Sequence, residues 1–251
     1  MRFQHSPAVR SAHPELLAGL LAAEGLTDHP AVDDRIAHFA TIARNRLAAG
    51  TESGFPEIQA WRRAFAAMGL PPTRYRCAAE SLLRRYRREG SLPRLHPLVD
   101  LCNAVSLAFA VPVGVFDRDR IDGDLVVRHA RGDEEYLTFA GDTERPDPGE
   151  VIFADDAGRA HARRWTNRQS GWSAVRDGTR DVLIVVEAMH ARAGEDVPAL
   201  LAVLVAELAE GWRADARSAV LTDAAAGYEV ADRPALDGRP GQALSPGARY
   251  R

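Results

Sequence analysis

Glu187 closes an apolar run, Asp181-Val-Leu-Ile-Val-Val-Glu187. A carboxylate in such company is costly to bury unless a ligand, an arginine or backbone amides give it hydrogen bonds. Two readings follow. Glu187 is a recognition group inside a pocket, or it forms a cross-strand salt bridge with Arg163 or Arg164. Asn103 is the second candidate. It sits in PLVDLCNAVSLAF, where most neighbours are apolar, with Asp100 and Ser106 three residues away on either side. A buried Asn needs partners for up to four hydrogen bonds. Its ordinary role is to tie a helix to a sheet; its chemical role would be to orient a water. The stretch from Pro97 to Glu187 reads as a pocket if these two side chains share one cavity.

Other constellations carry less chemistry. Cys102 and His96 are six residues apart, off one helical face and without an orienting acid, so a thiol nucleophile is not expected. The eight histidines show no paired ligand spacing, and neither a metal nor a cofactor is expected. The acidic DRDRIDGD stretch lacks the terminal bidentate acid of a calcium loop and reads as a turn. Trp165 and Trp172 suit either a nucleotide base or ordinary packing.

The elements that must position these groups follow from periodicity. Apolar spacing predicts helices over Pro14–Ala23, Ala31–Leu47, Pro56–Met68 and Tyr75–Arg88, and another from Pro97 with Leu98, Leu101, Val105 and Ala108 as its buried stripe. After Ala110 the pattern changes to short β-branched or alternating runs split by Gly, Asp and Pro: VPVGVF, DLVVRH, EYLTF, EVIFAD, RAHARRW and RDVLIVVE. Pro198 is expected to open a last, buried helix. Residues 223–251, poor in large apolar side chains, read as a flexible tail. The expected fold is mixed α/β (α+β), with a helical N-terminal layer on a sheet-rich half. It would form one domain over 1–222.

Composition sets the class. The chain has 251 residues, 46% hydrophobic and 27% charged, with a net charge of −3, ordinary for a globular protein. All 32 basic residues are arginine. The charge is uneven: residues 56–95 carry nine arginines against three acids, residues 159–180 carry six arginines against Asp177 alone, and 117–156 carry thirteen acids against five arginines. Two basic surfaces could meet a polyanion, or each could be a solvated face. The N-terminus lacks a signal-type apolar core, and Leu200–Ala206 is too short to span a membrane. A cytoplasmic location with reduced thiols is therefore expected, and no membrane partner.

A set of short motifs resembles a known family. It comprises Pro97-Leu-Val-Asp100, Asn103, Pro112, Phe116-Asp117, Ile121-Asp-Gly123, Val126-Val-Arg128, Gly149-Glu150, Asp155 with Gly158, Ser170, Thr179 and Glu187, preceded by YRCAAESLLRR. Together they resemble the editing and tRNA-binding domain of the phenylalanyl-tRNA synthetase beta chain, and more closely its free-standing relatives, over about residues 70–190. The resemblance implies that Glu187 recognises the substrate's side chain and that Asn103 lines the cavity. Cys102 stands where the family has a threonine, and Gly114 where it often has a histidine, which would open space. Thr166-Asn167 replace a glycine pair. Arg163-Arg164-Trp165 replace a small apolar stretch and would reshape the pocket floor.

The expectation is then a trans-editing aminoacyl-tRNA deacylase. Asn103 or the substrate's ribose hydroxyl would orient water, Glu187 would hold the amino acid, and amides near Thr166 and Asn167 would face the oxyanion. Arg84, Arg87, Arg88 and Arg168 would contact tRNA phosphates. The alternatives are a non-catalytic tRNA- or amino-acid-binding module and a partner of a synthetase.

Overall fold

A computed structural model describes residues 1–26, 30–222 and 227–230. The chain opens with β1 (Arg2–His5), a short helix α1 (Pro7–Ala12) and β2 (Leu17–Glu24). A helical layer follows: α2 (Asp33–Ala49), α3 (Pro56–Ala67), α4 (Ala78–Glu89) and α5 (Pro97–Phe109). Then come β3 (Val113–Asp117), β4 (Leu125–His129), β5 (Tyr136–Leu137), β6 (Thr143–Glu144) and β7 (Val151–Ala154). The chain continues through β8 (Ala160–Arg163), β9 (Arg168–Gln169) and β10 (Val182–Ala188) to α6 (Ala193–Trp212), β11 (Asp215–Leu221) and β12 (Gly227–Glu229). The class is mixed α/β, as the sequence implied.

The strands form a six-stranded sheet, ordered β12-β1-β4-β7-β8-β9, a four-stranded sheet, ordered β11-β2-β10-β3, and a two-stranded sheet of β5 and β6. In the second sheet every pairing is antiparallel. All seven residues of β10 are buried, which is why its sequence is continuously apolar rather than alternating. Successive side chains still point to opposite faces. Leu183 and Val185 join a core with Phe3, Phe116, Phe153 and Trp165. Val182, Ile184, Val186 and Ala188 join a second core with Leu101, Cys102, Leu200 and Leu204. That parity places Glu187 with Leu183 and Val185, toward the first core.

Four expectations are corrected. Pro14–Ala23 is not helical; Leu17–Glu24 is a strand paired with both β10 and β11. Its Ala- and Leu-rich sequence has helix propensity, but the central slot in a sheet overrides it. Gly19 suits that slot, because a Cβ there would lie 2.7 Å from Val197 Cγ1 and 2.8 Å from Leu201 Cδ1 of α6. Helix α4 starts three residues after Tyr75, where the Cys77 thiol caps it by accepting from Glu80 N. Pro198 lies inside α6 rather than at its start, since the segment before it already closes turns onto the carbonyls of His190 and Arg192. Finally, β12 pairs with β1, so the sheet takes in part of the expected tail. The rest of that tail, 223–226 and 231–251, lies outside the described residues.

Candidate functional site

The two sheets meet around Glu187. Strand β1 brings His5, two residues from the buried Phe3 and therefore on the same face. His5 Nε2 lies 2.6 Å from Glu187 Oε1. The Trp165 indole donates to that same oxygen at 2.9 Å. Both rings are buried, and the carboxylate is 2% exposed. Glu187 is bridged to neither Arg163 nor Arg164. Those arginines turn to Glu150, and Arg163 also donates to Glu144 at 2.6 Å. Burial opposes the charge of Arg163, but hydrogen bonds and attraction from Glu150 and Glu144 outweigh it, and its pKa rises.

Trp165 sits in the four-residue loop between β8 and β9. Arg164 has φ +48° and Trp165 φ +56°, the left-handed region that side-chain-bearing residues seldom adopt. Surrounding contacts hold them there. Trp165 N donates to Val151 O at 2.6 Å, Ala78 N to Thr166 O at 2.8 Å, and Asn167 Nδ2 to Arg76 O at 2.7 Å. The indole packs edge-on against Trp61 at 5.1 Å and against His13 at 4.9 Å. Held in this way, the indole supports the Glu187 carboxylate from below.

Above that floor opens a cleft of about 450 Å³, counting its mouth, with Phe116, Phe153, Val185 and Ala162 as walls. It gathers six residues expected at the site: Gly114, Trp165, Thr166, Asn167, Arg168 and Glu187. Gly114 opens no extra space, because a Cβ there would sit 2.9 Å from Phe116 Cε2. The Phe116 ring occupies the volume that a larger residue would need. Thr166 Oγ1 is buried without a hydrogen-bond partner.

The remaining expected residues lie elsewhere. Cys102 belongs to the core on the opposite face of the sheet from Glu187, and burial pushes its thiol up to about 12. Asn103 lines a separate cavity of about 590 Å³ with Arg44, Tyr86, Asp100 and Leu107. One residue along a helix turns the side chain by about 100°, so Asn103 leaves the sheet-facing side of α5 for the side packed on α2 and α4. Glu187 and Asn103 therefore do not share a cavity, and the water-orienting role of Asn103 is withdrawn. Arg163 points away from the cleft that its neighbour Ala162 lines. Arg84 and Arg87 pair with the buried Glu52, at 3.3 and 2.9 Å, Arg88 with Glu89 at 2.5 Å, and Arg168 with Glu144 at 3.3 Å.

A second polar cluster has the residue types of a hydrolytic triad. His161 Nδ1 lies 2.8 Å from Ser173 Oγ, and His161 Nε2 lies 3.1 Å from Asp155 Oδ2. Ser173 and His161 are both fully buried, so no substrate reaches the hydroxyl. The cluster fastens the β7–β8 turn to the 173 loop. Sequence reasoning missed it, and it missed His5. The alternation of Phe3 and His5 was the available signal for His5.

A sequence profile of the B3/4 domain matches residues 60–195. The beta subunit of phenylalanine–tRNA ligase from Nocardia farcinica is 38% identical over 104 residues, 41% of this chain and 12% of that protein. Its counterpart in Bradyrhizobium diazoefficiens is 38% identical over 79 residues, 32% of this chain and 10% of that protein. A solved N-terminal fragment of the phenylalanyl-tRNA synthetase beta subunit from Pyrococcus horikoshii superposes with a TM-score of 0.48 at 12% identity, covering 88% of this chain and 54% of the fragment. The aligned segments are thus small parts of the long synthetase subunits. Since the profile accounts for more than half of the 251 residues, the chain belongs to the B3/4 domain family and is a phenylalanyl-tRNA synthetase beta-like domain.

Proposed function

We propose that the cleft is a binding site for an aminoacyl group, carried on the 3′ end of a tRNA or present as the free amino acid. The observation that carries this reading is the state of Glu187. His5 and Trp165 both donate to Oε1, and the carboxylate lines the cleft. Oε2 is therefore the atom left for a ligand's ammonium or hydroxyl, and charge-assisted hydrogen bonds of this kind are among the stronger ones. Phe116, Phe153 and Val185 suit the hydrocarbon part of a side chain, as in most small-molecule sites. The link to tRNA rests on the relatives, which are named as phenylalanine–tRNA ligase subunits. Arg168 stands on the rim, and Arg84, Arg87 and Arg88 lie one to three turns along α4 from the residue that anchors the floor loop. These arginines would trade their acid partners for phosphates, as positioning contacts. This role belongs in the cytoplasm, and among the described residues no helix is long and apolar enough to cross a membrane.

A second reading, the trans-editing deacylase, is favoured by Thr166. Its unpartnered hydroxyl is buried beside the cleft, and a rotation about χ1 would turn it to a water or to the ester carbonyl of a mischarged tRNA. Such an ester is activated already, so placing water and stabilising the oxyanion suffices. Neither Asn103 nor Cys102 takes part.

One experiment separates the two. Binding and deacylation are measured on a panel of charged tRNAs and free amino acids with wild type, Glu187→Gln and Thr166→Val. Binding that Glu187→Gln weakens at least tenfold, with no turnover, supports the module. Turnover that Thr166→Val removes supports the deacylase. Failure to bind any member of the panel sinks both.

A further inference from the structure

Glu57, His190 and Asp196 come together from three elements: the first turn of α3, the segment leaving β10, and the first turn of α6. Each offers one ligating atom, and the three atoms lie within 4.8 Å of one another. Glu57 is 8% exposed and His190 is 7% exposed. The hydrogen bonding inside the cluster is incomplete. His190 Nε2 lies 2.7 Å from Asp196 Oδ2, and Arg46 Nη2 donates to Glu57 Oε1 at 2.7 Å. Glu57 Oε2 and His190 Nδ1 are buried with no partner. An orphaned polar atom in the interior is costly, and here a carboxylate oxygen and an imidazole nitrogen are orphaned in the same cluster.

We propose that Glu57, His190 and Asp196 form a binding site for a divalent transition-metal cation of the zinc class. Two carboxylates and one imidazole supply three protein ligands, and a water fills the fourth position, the usual pattern of an open zinc site. The imidazole selects the class, since magnesium and calcium take oxygen sets while zinc and cobalt accept nitrogen. Tetrahedral bonds of about 2.0 Å put neighbouring ligand atoms about 3.3 Å apart. The 2.7 Å contact between His190 and Asp196 therefore needs to open by only about half an ångström, if both bind the ion. The side chain of Asp196 is 20% exposed, which gives the ion a way in. Arg46 shares Glu57, and Arg192 approaches Asp196 Oδ1 at 3.6 Å. These two guanidinium groups offset the carboxylates and set the affinity below that of an uncompensated acidic site. His190 lies three residues beyond Glu187, so the ion would tie the end of β10 to α3 and α6. The site is separate from the cleft and independent of what the cleft binds.

The full-length chain is stripped with chelator and titrated with Co²⁺, followed by visible ligand-field absorption, with Zn²⁺ as competitor. One equivalent of Co²⁺ displaced by Zn²⁺ is expected, with a zinc-dependent rise in melting temperature. His190→Ala and Asp196→Asn should each weaken uptake at least tenfold. Asp196→Asn is partly exposed and changes no volume, so it keeps the test open if His190→Ala does not fold. No stoichiometric uptake by the wild type overturns the proposal, as does uptake that both variants leave unchanged.

Discussion

Two of the histidine–carboxylate pairs among the described residues, His161–Asp155 and His5–Glu187, each have a third hydrogen-bonding partner, and they have opposite fates. In the interior, Asp155 accepts from His161, from Arg159 N at 2.8 Å and from Asp122 N at 3.2 Å, while Ser173 completes His161. Every strong group there is used and nothing can enter. At the cleft, His5 and Trp165 both donate to one oxygen of Glu187, and the residue lines the cavity. The residue types are nearly the same. Access and incompleteness, not the presence of Ser, His and Asp, distinguish a site from a strut.

The largest test of that contrast is Asp155→Ala. It strands a buried imidazole and two backbone donors, and should cost about 3–5 kcal/mol in denaturant unfolding, with ligand affinity unchanged in the folded fraction. Glu187→Gln comes next. The amide still accepts from His5 and Trp165, so stability should fall by about 1 kcal/mol or less, while ligand affinity drops at least tenfold, as read by calorimetry. Should Glu187→Gln unfold the protein as readily as Asp155→Ala, the two clusters are the same kind of structure and the cleft loses its claim. Thr166→Val removes a hydroxyl that has no partner. Melting should show stability unchanged or raised by up to about 1 kcal/mol, whereas a paired hydroxyl would cost stability when removed.

The smallest effect is a pH dependence. Burial pushes the Asp155 carboxyl up, but hydrogen bonds from His161 and Arg159 N outweigh burial and hold its pKa below the ordinary 3.8. A depressed acid contributes stability that is present above its unfolded pKa and is lost as pH falls through the folded value. Unfolding free energy should therefore drop below about pH 4 in the wild type, and Asp155→Asn should flatten that slope relative to wild type.

The class of fold and most helices were legible because long amphipathic stretches such as Pro97–Phe109 carry their own period. The strands after Ala110 were legible from β-branched residues and turn punctuation. Leu17–Glu24 was not, since an apolar run buried on both faces has no period to separate strand from helix. Within the site, the Trp165–Asn167 loop and Glu187 were found together, but Asn103 was misplaced. A resemblance ranks positions by chain order, and the step from Cys102 to Asn103 turns a side chain from the sheet to the helical layer. His5 was invisible from the motif-bearing segment because its partner lies 182 positions away.

That distance matters for anyone who trims the chain. The profile-matched portion begins at residue 60, after β2, which pairs with β10 along all seven of its residues. A fragment cut at that boundary would bare one whole flank of the strand that bears Glu187. Such an apolar, unprotected edge invites strand addition from another copy. Insolubility or dimers of the short fragment would then report a missing neighbour rather than an unstable family fold, and the indole of Trp165 would be left alone with a carboxylate that has lost its imidazole.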